Sequence, residues 1–276
     1  MALFGLLNNS NNANGEMSFW GHIDALRGHI IRSVIVVLVF GSFLFCYPEF
    51  IYDTIIFGPI KSDFITYREF CKLSHYLNLD DQLCFGNYNF KLQSLGLSDQ
   101  FTSQMWISFL GGLIIAAPYV LWEFYRFIKP ALHDKEKKLS VGFIFSSTLL
   151  FLMGVSFSYF IIVPLSVNFL GNYKVSTMVE NNFTLDSYIS LITTLTIASG
   201  IVFELPIIVY FLTKFGLVTP DFMRKYRKHA VVIILVAAGV ITPSPDVTSQ
   251  MLVAFPLYFL YEASIFVSAF VVKNKA

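Results

Sequence analysis

Residues Tyr188 to Thr213 read YISLITTLTIASGIVFELPIIVYFLT, 26 residues whose only charged side chain is Glu204. At about 1.5 Å of rise per residue, a helix of this length crosses a hydrocarbon core of roughly 30 Å. An ionisable group near the centre of that core costs on the order of 2.5–3.5 kcal/mol on insertion scales, so such an acid marks a functional site by default. Pro206, two residues on, removes a backbone donor and is expected to bend the helix beside the carboxyl. The plainer alternative is a protonated Glu204 that hydrogen-bonds a neighbouring helix for packing alone.

The rest of the chain agrees with a membrane setting. Of its 276 residues, 55% are hydrophobic and 13% charged, against about 25% charged in a soluble domain. Thirty Phe and 14 Tyr suit a lipid-facing surface with interfacial aromatic belts. Six apolar segments emerge: Ile30–Tyr47, Phe101–Tyr125, Val141–Leu170, Tyr188–Phe215, Ala230–Ile241 and Val247–Val272. Alternation at period two is absent, which rejects a β-barrel and leaves helices as the way to satisfy the backbone in lipid. The sequence therefore predicts an all-α polytopic membrane protein with six spans.

Of the 19 Lys and Arg, 14 fall at the N-terminal flank, loops 126–138 and 214–228, and the C-terminus; the other side holds five. Positive-inside bias then places both termini and the two basic loops in the cytoplasm. The fifth segment, 12 apolar residues, reaches only about 18 Å, and the sixth is interrupted by Pro256 and Glu262. Bilayer thinning or burial against longer helices is expected to accommodate both. Residues 1–18 form an Asn-rich tail expected to be disordered, 19–272 the transmembrane domain, and 273–276 a short C-terminal tail. Residues 1–16 lack the basic start and apolar core of a cleavable signal peptide, and Met17 is a second candidate start. The long external loop 49–100 is expected to form a partly structured cap.

Cys71 and Cys84 share that loop, where an oxidising compartment permits a disulfide. The five His (22, 29, 75, 133, 229) are scattered without ligand spacing, so no metal site is expected. Asn182-Phe183-Thr184 fits a glycosylation sequon, a tripeptide common by chance. No nucleotide-binding loop is present, and neither a cofactor nor a nucleic-acid partner is expected.

Two stretches carry charge at the inner rim. Phe19-Trp20-Gly21-His22-Ile23-Asp24-Ala25-Leu26-Arg27 enters the first span with Asp24 near a helix start, where an acid favours the macrodipole. Interfacial anchoring is the bland reading for Phe19, Trp20 and Arg27. Phe127-Ile128-Lys129-Pro130-Ala131-Leu132-His133-Asp134-Lys135-Glu136-Lys137-Lys138 connects spans 2 and 3. Pro130 can open a short helix there, and lysines flank Glu136. As local sequence alone this is an ordinary solvated charge run.

FWGHIDALR (19–27), GPIK (58–61), AAPYVLWEFYRFIKPALHDKEKKL (116–139), FELP (203–206), TPDFMRKYRKHAVV (219–232) and ITPSPDVTSQMLVAFPLYFLYE (241–262) occur in this order. Together they resemble the TatC family, the multispanning receptor subunit of the twin-arginine protein translocase. The resemblance covers Phe19 to about Phe270 and is weakest in loop 61–98. It implies a glove-like, concave arrangement of six helices in the bacterial inner membrane that receives signal peptides with consecutive arginines. It further implies export of folded cargo driven by the proton gradient, single-span partners of the TatA and TatB type, and self-association. Glu136 matches a family carboxylate that binds a guanidinium, and Arg27, Phe127 and Pro59 match family positions. The family's first-helix Glu is replaced here by Ala25, with Asp24 beside it about 100° round the helix. Glu204 matches the family's intramembrane acid, implied to dock a polar residue of a partner helix. Asp246 and Gln250 match polar positions near the last external turn, though Asp246 is equally suited to helix capping.

The chemistry suits that role. Arginine stays protonated and presents a planar fork that fits a carboxylate bidentately, which lysine does not reproduce. Two rival readings compete. A proton-coupled transporter would use Glu204 as its relay, but the chain shows no internal repeat and no second buried acid as partner. An intramembrane protease needs a nucleophile with its base, or a metal motif such as HExxH, and neither is present.

Overall fold

The computed structural model describes residues 19–76, 84, 92–129, 140–174, 176, 182–241 and 247–275. In chain order the helices are α1 (Phe19–Phe45), α2 (Pro48–Phe50), α3 (Ile65–Tyr76), α4 (Asp99–Ile128), α5 (Ser140–Phe157), α6 (Val163–Asn172), α7 (Leu185–Phe203), α8 (Leu205–Lys214), α9 (Pro220–Lys225), α10 (Arg227–Ile241) and α11 (Val247–Lys275). Strands are confined, among the described residues, to a two-residue parallel pairing of β1 (Leu92–Gln93) with β2 (Phe183–Thr184). Five stretches are long and apolar enough to cross a membrane: Ile23–Phe45, Asp99–Ile128, Ile144–Asn172, Leu185–Lys214 and Gln250–Lys273. The chain is a multi-pass membrane protein. The remaining predicted segment lies in α10, whose 15 residues reach about 22 Å.

The spans pack through glycine because lipid provides no hydrophobic force between helices, so close backbone contact must replace it. Helices α1 and α4 run antiparallel. Gln104 donates to the Phe45 carbonyl (2.9 Å) at one end, Gly112 lies on Gly41 midway, and Glu123 meets His29 at the other end. A Cβ on Gly112 would stand 2.6 Å from the Gly41 nitrogen and 2.7 Å from the Val37 oxygen, both backbone atoms that cannot move aside. Helices α5 and α7 approach in the same way: a Cβ on Gly154 would meet the Ser199 oxygen at 2.7 Å. The central core gathers Ile162, Val163, Ile192, Leu195, Ala238 and Val253 from five helical elements.

The third span shows how one proline is accommodated. Pro164 lies in the first turn of α6, directly after a π-helical turn over Ser158–Ile162. Lacking an N–H, it leaves the Phe160 carbonyl free, and the Thr66 hydroxyl of α3 donates to that carbonyl. The adjacent Tyr67, 2% exposed, donates to the carbonyls of Pro59 (2.7 Å) and Pro164 (3.1 Å). Tyr159 and Tyr188 donate to Ile55 and Ile56 at 2.8 and 2.6 Å. Span tyrosines and α3 hydroxyls thus tie the 48–76 segment onto the bundle, which gives the long loop its structure. Cys71 on α3 is joined to Cys84 by a disulfide. In the proposed sequon, Thr184 instead caps α7, its hydroxyl accepting from the Ser187 N–H at 3.2 Å.

The fourth span breaks at Glu204, which ends α7 and precedes α8, with Pro206 in the first turn of α8. Helix α8 closes in a Schellman turn. Gly216 has φ +77°, and the N–H groups of Gly216 and Leu217 reach the carbonyls of Thr213 and Leu212 at 3.0 and 2.9 Å. Thr219 then caps α9 by accepting from the Phe222 N–H. Helix α11 lies against α8, where the Thr213 hydroxyl donates to that of Ser268 at 2.9 Å with both buried.

Candidate functional site: two carboxylates inside the bundle

Glu204 sits at the kink because Pro206 interrupts the ladder there, and the resulting bend turns its carboxyl toward α5. Ser147, buried on α5, donates to Oε2 at 2.8 Å. The other oxygen, Oε1, is shielded from solvent and has no hydrogen-bond partner among the described residues. An apolar surrounding makes an unmet acceptor costly. The kink therefore holds one carboxyl oxygen satisfied and one available to a donor.

A second buried acid went unnoticed in the sequence. Glu123 on α4 is 1% exposed, the most buried charged side chain described. Its Oε2 receives a hydrogen bond from Nδ1 of His29 on α1, and its Oε1 receives one from the Tyr119 hydroxyl at 2.9 Å. Arg32 Nε and Arg126 Nη1 each stand 3.9 Å from Oε1, both about half exposed. Two donors and two flanking guanidinia compensate the buried charge, as a buried carboxylate requires. The aromatic neighbours belong to the same cluster. The His29 ring meets Phe127 edge-on with centroids 6.1 Å apart, and Arg126 lies 5.0 Å over the Trp122 ring.

Glu123 could have been found as an acid inside the second apolar segment. It reads instead as an interfacial residue, because Arg126 and Lys129 follow it and Ile128 ends the helix.

The other expected residues fall as follows. Asp24 and Arg27 are exposed on the first turns of α1, and Ala25 beside them is half-buried. Phe127 is half-buried at the same end of the bundle. Glu136 and Asp246 lie outside the described residues, as does the tail 1–18. Pro59 is buried in a 3-10 turn, Gly58–Ile60, in the cap. Gln250 donates to the Leu235 carbonyl at 2.9 Å and so ties α11 to α10. Glu262, seen in the sequence as an interruption, receives Arg227 Nη2 at 2.7 Å and the Tyr258 hydroxyl at 3.0 Å. That pair ties the start of α10 to α11. His75 brings its ring within 4.8 Å of the Cys71 and Cys84 sulfurs, a proximity that sequence spacing did not show. With both sulfurs in the disulfide, no thiolate remains to ligate a metal.

Fold and site together define a multi-pass helical membrane protein with two acids set inside its apolar helices. Residues 21–256 match the family model described as Sec-independent protein translocase protein (TatC). The chain is 43% identical over 265 residues to the TatC of Blattabacterium sp. subsp. Periplaneta americana, covering 96% of this chain and 99% of that protein. With TatC of Aquifex aeolicus the identity is 33%, over 92% of this chain and 95% of that one. A crystal structure of the twin arginine translocase receptor TatC superposes with a TM-score of 0.66 at 33% identity, covering 91% of this chain and 99% of that chain. This chain belongs to the TatC family. It is a component of a Sec-independent protein translocase.

Proposed function

We propose that this chain is the receptor for signal peptides bearing consecutive arginines, within a translocase that exports folded proteins across the bacterial inner membrane on the proton gradient. The observation that carries this reading is the likeness to a solved twin arginine translocase receptor over 91% of the chain. The receptor has six spans, the short α10 and the proline-interrupted α11 being the last two, in a concave, glove-like bundle. Both termini are cytoplasmic. The membrane domain covers 19–272, between tails 1–18 and 273–276. No catalytic step is assigned to it; its work is binding.

Glu136 and Asp24 at the inner rim take the guanidinium groups, with Arg27 and Phe127 completing the surface. Charge-assisted bonds of this kind contribute roughly 1.5–3 kcal/mol each when partly buried. The apolar stretch of the peptide then lies along the concave helix face. Glu204 docks a single-span partner subunit of the TatA or TatB type: its unmet acceptor Oε1 takes a polar side chain of the partner helix once the side chains that cover it move aside. Gln250 and Asp246 offer further partner contacts, and copies of the chain associate with one another.

Crosslinking a twin-arginine peptide to probes placed beside Asp24 and Glu136 tests the reading. A twin-lysine peptide is expected to crosslink far more weakly. Equal crosslinking by the two would refute guanidinium recognition.

A further inference from the structure

The geometry points to Glu123 and His29 as a positioning pair for the peptide-binding surface: the buried carboxylate holds the imidazole, and the imidazole holds Phe127. This rests on the receptor reading above and deepens it. Glu123 is 1% exposed and fixed on four sides, by Nδ1 of His29, the Tyr119 hydroxyl, Arg32 and Arg126. A carboxylate so confined cannot itself reach a peptide lying on the surface. It can fix whatever it grips.

What it grips on α1 is His29, whose side chain is 16% exposed. Residues Ala25, His29 and Arg32 are spaced i, i+4, i+7 and share one stripe of α1, and Arg32 as well as His29 reaches Glu123. That stripe therefore faces α4. Both Asp24 and Arg27 are exposed, Asp24 about 100° to one side of the stripe and Arg27 on the opposite side of the helix. The imidazole also meets the Phe127 ring edge-on at a 67° interplanar angle, a favoured aromatic arrangement. Phe127 sits one helical turn beyond Glu123 on α4 (i+4). One hydrogen bond thus sets the Phe127 ring through the imidazole.

The pair is not a general clamp between the two helices. Gly112 already locks α1 and α4 backbone to backbone midway, and Gln104 ties the far end. The loss of His29 therefore acts on the rim more than on the bundle.

Full-length protein in detergent is titrated with a labelled twin-arginine peptide, with a twin-lysine peptide as reference. His29→Ala is expected to lower twin-arginine affinity about tenfold while the thermal midpoint stays within a few degrees. His29→Asn, which returns an N–H near the position of Nδ1 but not the ring that meets Phe127, is expected to recover little of that loss. On a Phe127→Ala background, His29→Ala is expected to add little, because its effect runs through the ring. Full additivity of the two substitutions, recovery of wild-type affinity by His29→Asn, or unchanged affinity in His29→Ala would overturn the pair's role. Should His29→Ala not fold, His29→Gln, which keeps bulk but not the ring that meets Phe127, is compared on the same two backgrounds with the same outcomes. A wild-type protein that binds both peptides equally would overturn the receptor reading. Discrimination by wild type without any effect at His29 overturns this proposal alone.

Discussion

Glu204 and Glu123 are both acids inside apolar helices, and they are satisfied to different degrees. Glu123 has donors on both oxygens and two guanidinia nearby. Glu204 has one hydroxyl on Oε2 and nothing on Oε1 among the described residues. The first arrangement suits a fixed structural charge, the second a group awaiting a partner. Glu204→Ala is therefore expected to leave twin-arginine peptide affinity nearly unchanged while export falls severalfold. An interhelical hydrogen bond in lipid contributes about 0.6–2 kcal/mol, which corresponds to about 3–30-fold in partner affinity. Normal export by this variant, measured with a folded reporter cargo, would remove the docking role. The sequence exposed Glu204 because no other charge shares its run. It hid Glu123, because an acid beside Arg126 at a helix end looks the same whether it faces water or α1.

At the scale of elements, helix existence followed from apolar run length, and the kink followed from Pro206. The interfaces did not. Gly112 and Gly142 are alike on paper, yet a Cβ on Gly112 meets backbone at 2.6 Å whereas one on Gly142 meets nothing within 4 Å. Gly112→Ala is expected to destabilise by about 1–3 kcal/mol, because backbone on both sides cannot yield. Gly142→Ala should be neutral or stabilising by up to about 1 kcal/mol. Thermal unfolding in detergent compares the two, and equal midpoints would contradict the α1–α4 crossing described above. Pro164 carries the same lesson. The sequence announces a lost backbone bond, but only the fold brings Thr66, some 90 residues away, to the orphaned Phe160 carbonyl.

At the scale of the whole molecule, the distribution of Lys and Arg predicts orientation, and the cap built on residues 48–76 predicts the opposite face. In a Cys46→Ser background, which removes the one free cysteine among the described residues, cysteine is placed at Leu97 or at Lys273. An impermeant thiol reagent added to intact cells is expected to label the Leu97→Cys protein alone, and the Lys273→Cys protein only after lysis. The reverse pattern would invert the topology and detach the inner-rim site from the cytoplasm. The short α10 adds a global constraint. Arg227 at the start of α10 pairs with Glu262 of α11, which ties the two helices together.

The sequence alone determined the solvent, the helical class, the spans of adequate length, the break at Glu204 and the family resemblance. Each of these depends on local composition or on residue order, which the chain carries without folding. Tertiary structure decided which side chains meet: His29 with Glu123 across 94 positions, Ser147 with Glu204 across 57, Arg227 with Glu262 across 35. A helix face has no partner until another helix is laid against it, and the close glycine contacts that set those crossings depend on geometry between elements rather than on anything within one.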